Sequence, residues 1–383
     1  MKALLLLFAL FCISFSWADS GVWNKKTNFP AEGRHRTVGF SIGNKGYFGL
    51  GHYNSGPAGN VTKADIWEYD PSNDSWTQKA DYGGGGTYGA TAFTIGNKAY
   101  VGAHVYGPSE FYEFDPIQNT WSIIAFCPNG SSDLTSFSVG GLGYFIGYSG
   151  MSAYDPQNDT WTAKTPPPAS GSAWSKAVSD GEKGYFLDAG GGFYEYKPST
   201  DQWAVRAPYP GDAVGGWSMF CVYGKIYALT GYIQFLNPTS RQVWEFDPSQ
   251  NTWTRKEDFP GNTRRFSSSF SIGNKGYIGT GTNGTNMNDL WEYDLTLGAE
   301  EFSVDIVNRI YPIPSNDKIT MTFQNINSEM NIEFYSLSGK MIQSTPLTMN
   351  SLQLDKQDFG VGTFVYQILE ENKVISSGKI IFN

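Results

Sequence analysis

One phrase recurs along this chain and limits what it can fold into. Trp67-Glu-Tyr-Asp-Pro leads to Trp76, and the phrase returns as Tyr112-Glu-Phe-Asp-Pro to Trp121, Ser152-Ala-Tyr-Asp-Pro to Trp161, Tyr194-Glu-Tyr-Lys-Pro to Trp203 and Trp244-Glu-Phe-Asp-Pro to Trp253. The second aromatic always precedes the closing Trp by seven positions. Pro, Asn, Asp, Ser and Gln fill the interval, which is turn chemistry. Each phrase therefore reads as a β-hairpin with aromatic residues on both arms.

A second hairpin precedes each of these. An apolar residue is followed seven positions later by Tyr, at Phe40/Tyr47, Phe93/Tyr100, Phe137/Tyr144, Val178/Tyr185, Phe220/Tyr227 and Phe270/Tyr277. The turn is often Gly-Asn-Lys, as at Gly43, Gly96 and Gly273, and Gly-Asn suits the positive φ of tight hairpins. Each unit thus has four strands, a to d, in meander order. Such a unit cannot bury its faces alone, so copies must stack side by side. The sixth unit, at Trp291-Glu-Tyr-Asp294, lacks its closing Trp, but Trp23 to Phe29-Pro30 matches Trp253 to Phe259-Pro260. The N-terminal segment is expected to supply strand d of blade 6, closing a ring of six blades with no open edge.

Composition agrees with this reading. The 383 residues are 16% aromatic and only 16% charged, with 45 glycines, as in an all-β chain with many tight turns. A formal charge of −9 argues against a nucleic-acid partner, which would need a basic face. Lys2, the apolar run Ala3–Phe15 and the small residues Ser16 and Ala18 predict a signal peptide over 1–18. No other run is long enough to span a bilayer, so no transmembrane anchor is expected. Cys127 and Cys221 remain after the signal, either as one disulfide or as two buried thiols.

These motifs resemble the kelch family of β-propellers over roughly Gly21 to Thr296. The family's Gly-Gly pair at the end of strand b is replaced in places, for example by Gly49-Leu-Gly51 and Gly102-Ala-His104. The resemblance implies a six-bladed propeller over 19–298. A charge pattern runs through the repeat. Glu68, Glu113, Glu195, Glu245 and Glu292 lie on strand c, and Lys26, Lys79, Lys164, Arg206 and Lys256 on strand d; Ala153 and Ile124 break the two series. Pairing each Glu with the basic residue of the preceding blade makes the two exceptions coincide. Inter-blade ion pairs such as Glu113–Lys79 are therefore expected.

The blade phrase stops after Thr296. Strands are predicted at Ile319–Phe323, Met330–Tyr335, Phe364–Leu369 and Lys373–Phe382, which suits a small β-sandwich over 299–383. The segments Ile310-Tyr-Pro-Ile-Pro314, Phe334 to Lys340, Phe359 to Tyr366 and Gly378 to Asn383 resemble the C-terminal sorting domain of the type IX secretion system of the Bacteroidetes. The resemblance implies handling by that machinery, removal of the tail, and release or attachment at the outer surface.

The chain carries no His-Glu-x-x-His, phosphate loop or nucleophile elbow, and no cofactor is expected. Galactose oxidase also has a kelch propeller. The mature His35, His52 and His104 and two Cys at unsuitable repeat positions do not supply its copper site. The better place is the lead-in to strand a, where propellers converge on a central funnel. Six positions before the strand-a aromatic stand Arg34, Thr87, Ser131, Ser172, Val214 and Arg264, followed by His35, Tyr88, Ser132, Ala173, Gly215 and Arg265. Residues that break the symmetry are the functional candidates, because structural needs repeat in every blade. Arg34, Arg36, Arg264, Arg265, Tyr88, Trp174 and Trp217 are the predicted ligand-binding set. Arg forks suit carboxylates, and aromatic faces suit sugars or peptides. A monomeric module binding a protein or carbohydrate is expected. The alternative is an enzyme resembling the kelch sialic acid mutarotases of the bacterial periplasm, for which Glu32 with Arg34 and Arg264 would form the acid–base site.

Overall fold

The structure, a computed structural model, describes residues 21–54, 59–105, 110–131, 133–148, 150–172, 174–234, 238–295, 306–324, 326–327, 330–336, 341–370 and 373–383. The predicted signal peptide, Ser132, Ala173, the linker after Thr296 and part of the Phe334–Lys340 motif lie outside the described residues. Among the described residues no helix is long and apolar enough to cross a membrane.

Six four-stranded antiparallel sheets carry the repeat. Their innermost strands are Val38–Ile42, Thr91–Ile95, Thr135–Val139, Lys176–Ser179, Ser218–Val222 and Ser268–Ile272. Each touches the next, and Ser268–Ile272 touches Val38–Ile42, so the sheets form a closed ring around a channel. The predicted pairing holds in register: Phe40 lies opposite Tyr47, Phe93 opposite Tyr100 and Phe270 opposite Tyr277. These rings stack with centroids 4.9–5.3 Å apart. Blades interlock where the strand-a Phe of one presses on strand b of the next. A Cβ added to Gly143 would lie 2.0 Å from the Phe93 ring, and one on Gly184 2.2 Å from Phe137. Only glycine permits that approach.

The N-terminal strand closes the ring as expected. Val22–Lys26 pairs with Leu290–Asp294, Trp23 opposite Tyr293, and Trp23 packs against Phe259 and Tyr293. A hairpin of His52–Asn54 with Asn60–Thr62 extends blade 1; it breaks the repeat and was not predicted.

The junctions between blades correct the predicted ion pairs. The strand-c Glu pairs within its own blade, Glu68 with Lys79 at 3.4 Å, Glu195 with Arg206 at 2.5 Å and Glu245 with Lys256 at 3.0 Å. Glu113 is held by Lys98 and Tyr100 rather than by Lys79. The register explains this. Glu68 stands directly across from Tyr47 and one diagonal step from Lys79, closer than any group across the blade gap.

A different device joins neighbouring blades. The turn of each c–d hairpin ends in Asp74, Asn119, Asp159, Asp201 or Asn251, all at φ of 49–55°. Their side-chain oxygens accept from the backbone N–H of Thr27, Ala80, Ala125, Thr165 and Ala207, just past strand d of the preceding blade, at 2.8–3.1 Å. The indole N–H of Trp76, Trp121, Trp161, Trp203 and Trp253 donates to the carbonyl of that same residue at 2.8–3.1 Å. Blade 6 has no continuous c–d turn, and the buried Trp23 indole N–H finds no partner among the described residues.

The C-terminal segment is a second β structure. Val307–Tyr311, Lys318–Phe323 and Ser351–Asp355 form one sheet, and Met330–Ser336, Met341–Pro346, Gly362–Glu370 and Lys373–Phe382 another. Ile319, Met321, Ile332, Phe334, Ile368 and Ile380 bury a common core, as in a sandwich. A single helical turn, Lys356–Phe359, capped by Asp355, was not predicted. Cys127 and Cys221 are both free thiols, the first buried.

Candidate functional site

The lead-ins to strand a do converge, and their repeat geometry is specific. Four positions before the strand-a aromatic stand Arg36, Gly89, Asp133, Trp174, Gly216 and Phe266. Asp133 donates its backbone N–H to the carbonyl of Gly89, Gly89 to Arg36, Arg36 to Phe266, Phe266 to Gly216 and Gly216 to Trp174, at 2.8–3.2 Å. The belt runs through all six blades and is interrupted between blades 3 and 4, where the Trp174 N–H turns to the Ser172 hydroxyl. Arg36, Asp133 and Phe266 hold φ of 53–58°, a conformation that glycine adopts freely and other residues at a cost of about 1–2 kcal/mol. Backbone strain of this kind collects at functional sites.

Side chains of the belt close the neck of the channel, leaving a void of about 40 Å³. Arg36 of blade 1 reaches past blade 2 to the Asp133 carboxylate of blade 3 at 2.5 Å. Its guanidinium lies 4.6 Å from the Phe266 ring centroid, 5.7 Å from Tyr88 and 5.9 Å from Trp174, within cation–π range. Trp174 packs against Tyr232 and Phe266 with centroids 5.3 Å apart. His35 and His52 sit beside this group, their rings 4.1 Å apart, with His52 stacked on Tyr88 at 4.0 Å. Arg265 approaches Phe266.

Burial dominates the electrostatics here. It pushes His35 down to about 3, with the fields of His52, Arg36 and Arg265 adding to the effect. Burial and then Arg36 push His52 down to about 4. Both imidazoles are neutral at physiological pH. Burial raises the Asp133 carboxyl against the opposing pull of Arg36 and Lys176, and lowers the Lys176 ammonium against the pull of Asp133.

Of the predicted residues, the structure brings Arg36, Arg265, Tyr88 and Trp174 together. The other three are placed elsewhere. Arg34 is fully buried in a two-pronged pair with Asp65 at 2.6 and 2.7 Å, and donates further to the Leu50 carbonyl. Arg264 repeats that arrangement with Asp289 and the Thr280 carbonyl. Trp217 is fully buried in the core beside Tyr209. Glu32 turns outward to Lys63 at 3.0 Å, so Glu32, Arg34 and Arg264 do not assemble an acid–base site. The sequence reading missed His35, His52, Asp133, Tyr232 and Phe266 as partners. The aligned lead-ins hold the signal for three of them, since His35, Asp133 and Phe266 break the symmetry there as Arg36 does. Among the described residues no three His, Cys, Asp or Glu side chains gather as metal ligands.

What the face can do follows from these groups. Of Arg36's guanidinium nitrogens only Nη1 is hydrogen-bonded among the described residues. The remaining N–H groups and the aromatic rings present a cationic fork framed by flat apolar faces, suited to an acceptor-bearing ligand with a planar or ring face.

Two family profiles match the chain. "Kelch motif" covers residues 214–260, and "Secretion system C-terminal sorting domain" covers 309–383. Mouse Kelch-like protein 35 is 25% identical over 236 residues, 58% of this chain and 39% of that protein, so the match spans well under half of the relative's length. Among solved structures, that of YjhT aligns with a TM-score of 0.56 at 17% identity, over 69% of this chain and 95% of the other. That likeness bears on the fold.

Proposed function

We propose that this kelch-repeat β-propeller, exported through the type IX system by its C-terminal sorting domain, is a binding module that holds a protein or carbohydrate ligand on the face above its belt. The propeller, 19–298, is the acting part, and the tail, 299–383, is the part handled by the export machinery. The observation that carries the reading is Arg36: a residue in one blade only, held in a left-handed conformation, ringed by Tyr88, Trp174 and Phe266, with N–H groups still open. Arg34 and Arg264 also break the repeat, but their donors are spent inside the blade on Asp65 and Asp289, whereas those of Arg36 are not.

The test is a screen of the full chain on glycan and peptide arrays, followed by calorimetry on each hit. Trp174→Ala is expected to weaken binding at least about tenfold, the loss of one stacking and one cation–π contact. A screen in which no hit is weakened by the variant would contradict the proposal. An anomer-exchanging enzyme is favoured by one observation, the raised Asp133 carboxyl beside Arg36. It predicts that the chain accelerates sialic acid anomer exchange and that Asp133→Asn does not.

A further inference from the structure

On the other side of the belt the channel widens into a chamber of about 1340 Å³. We propose that this chamber is a second binding site, distinct from the face above the belt, and that it takes a neutral oligosaccharide. The first observation is Tyr223, at the turn between strands a and b of blade 5. The same position in the other blades is glycine: Gly43, Gly96, Gly140, Gly181 and Gly273, at φ of 56–98°. Tyr223 adopts φ of 50° there, where an L side chain is strained. The residue is 51% exposed and lines the chamber, so it gains little burial in return. Five blades use the unstrained residue, and the sixth places an open aromatic face at the chamber wall. Strain kept without a packing reward points to a ligand.

The second observation lies across the channel. Ser41, Thr94 and Ser138, on blades 1, 2 and 3, line the chamber and are only half-buried. Their hydroxyls make no hydrogen bond among the described residues. The equivalent hydroxyls of blades 4 and 6 are occupied: Ser179 accepts from the Gly181 N–H and Ser271 donates to the Cys221 carbonyl, both at 2.8 Å. In a six-membered ring, blade 2 stands opposite blade 5. An aromatic platform thus faces an arc of three open hydroxyls, the complement of a pyranose with one flat C–H face and hydroxyls at its rim.

The charge of the wall sets the class. Its charged lining groups are Asp180 and Glu182 of blade 4 and Lys379, which with Val365 borders the chamber from the C-terminal sandwich; one cation beside two carboxylates leaves no net positive wall, which disfavours an anionic ligand. Asp180 is used by the N–H groups of Glu182 and Lys183 and the Tyr185 hydroxyl. The volume exceeds the roughly 300–1,000 Å³ of a typical small-molecule pocket, which fits several linked sugars better than one.

The experiment titrates the full chain by calorimetry with cellopentaose, maltopentaose, xylopentaose and mannopentaose. At least one is expected to bind. Tyr223→Gly, which restores the residue of the other blades, should weaken that binding about tenfold while Tm stays unchanged or rises by about 2 °C. Thr94→Val should weaken it as well, and Trp174→Ala should leave it unchanged. The last result separates this site from the face. Binding by none of the four at millimolar concentration, equal binding by Tyr223→Gly, or loss in Trp174→Ala would each overturn the proposal.

Discussion

Arg34 and Arg36 are two residues apart and do opposite work. Arg34 points into the blade, where Asp65 and two backbone carbonyls use its donors. Arg36 points across the neck and keeps most of its donors open. Arg264 repeats the role of Arg34 in blade 6, so Arg264→Ala leaves the Asp289 carboxylate without its buried partner. A loss of about 3 kcal/mol is expected, read from the denaturant midpoint, with face binding by the folded fraction unchanged. The histidines give a second prediction at this scale. Folded His35 and His52 stay neutral down to about 3 and about 4, whereas an unfolded chain protonates its histidines near 6.5. The unfolded state therefore binds more protons below about pH 6.5, and the stability these groups contribute is full above that pH and lost as pH falls. Thermal melts should show Tm falling from pH 6.5 to 4.5, with a shallower slope in His52→Asn. Identical slopes would show that the buried pair is not the cause.

Between blades, the clamp of Asx and Trp is the repeated fastening. Trp121→Phe keeps an aromatic ring packed against Phe114 but deletes the donor to the Ala80 carbonyl; a loss of about 1 kcal/mol is expected. This part of the molecule was half legible in the sequence. The hairpins could be read because aromatic residues at a fixed spacing pair across a turn whatever surrounds them. The clamp could not: its Asx and Trp recur in the sequence, but their partners on the neighbouring blade are a backbone N–H and a backbone carbonyl, which leave no mark on residue identity. The Glu–Lys series misled for a related reason: coinciding exceptions are a property of the list, while cross-strand register decides which groups touch. In the C-terminal sandwich, Val307–Tyr311, Met341–Pro346 and Ser351–Asp355 escaped notice because their polar, half-exposed residues give little alternation to read.

For the whole molecule, the ring and its closing N-terminal strand were predictable by counting, since Trp23 fills the one vacancy in a sixfold pattern. The lead-ins to strand a stood out in the sequence by their symmetry-breaking residues, and the structure gathers Arg36, Arg265, Tyr88 and Trp174 there. The full membership of the site was less legible. Whether a side chain at the lead-in turns into the blade, like Arg34, or across the channel, like Arg36, depends on a local left-handed backbone that residue type does not announce unless it is glycine. The structure thus divides labour between two sets of residues. On the proposed reading, those that repeat hold the ring together, and those that break the repeat and turn toward the channel, as Arg36 and Trp174 do, hold the ligand. Affinity for a face ligand, measured beside Tm in Trp174→Ala and Trp121→Phe, tests this division most directly. Trp174→Ala should lose affinity with little change in Tm, and Trp121→Phe should lose Tm and keep its affinity. The reverse pattern, or equal loss of both in both variants, would contradict it.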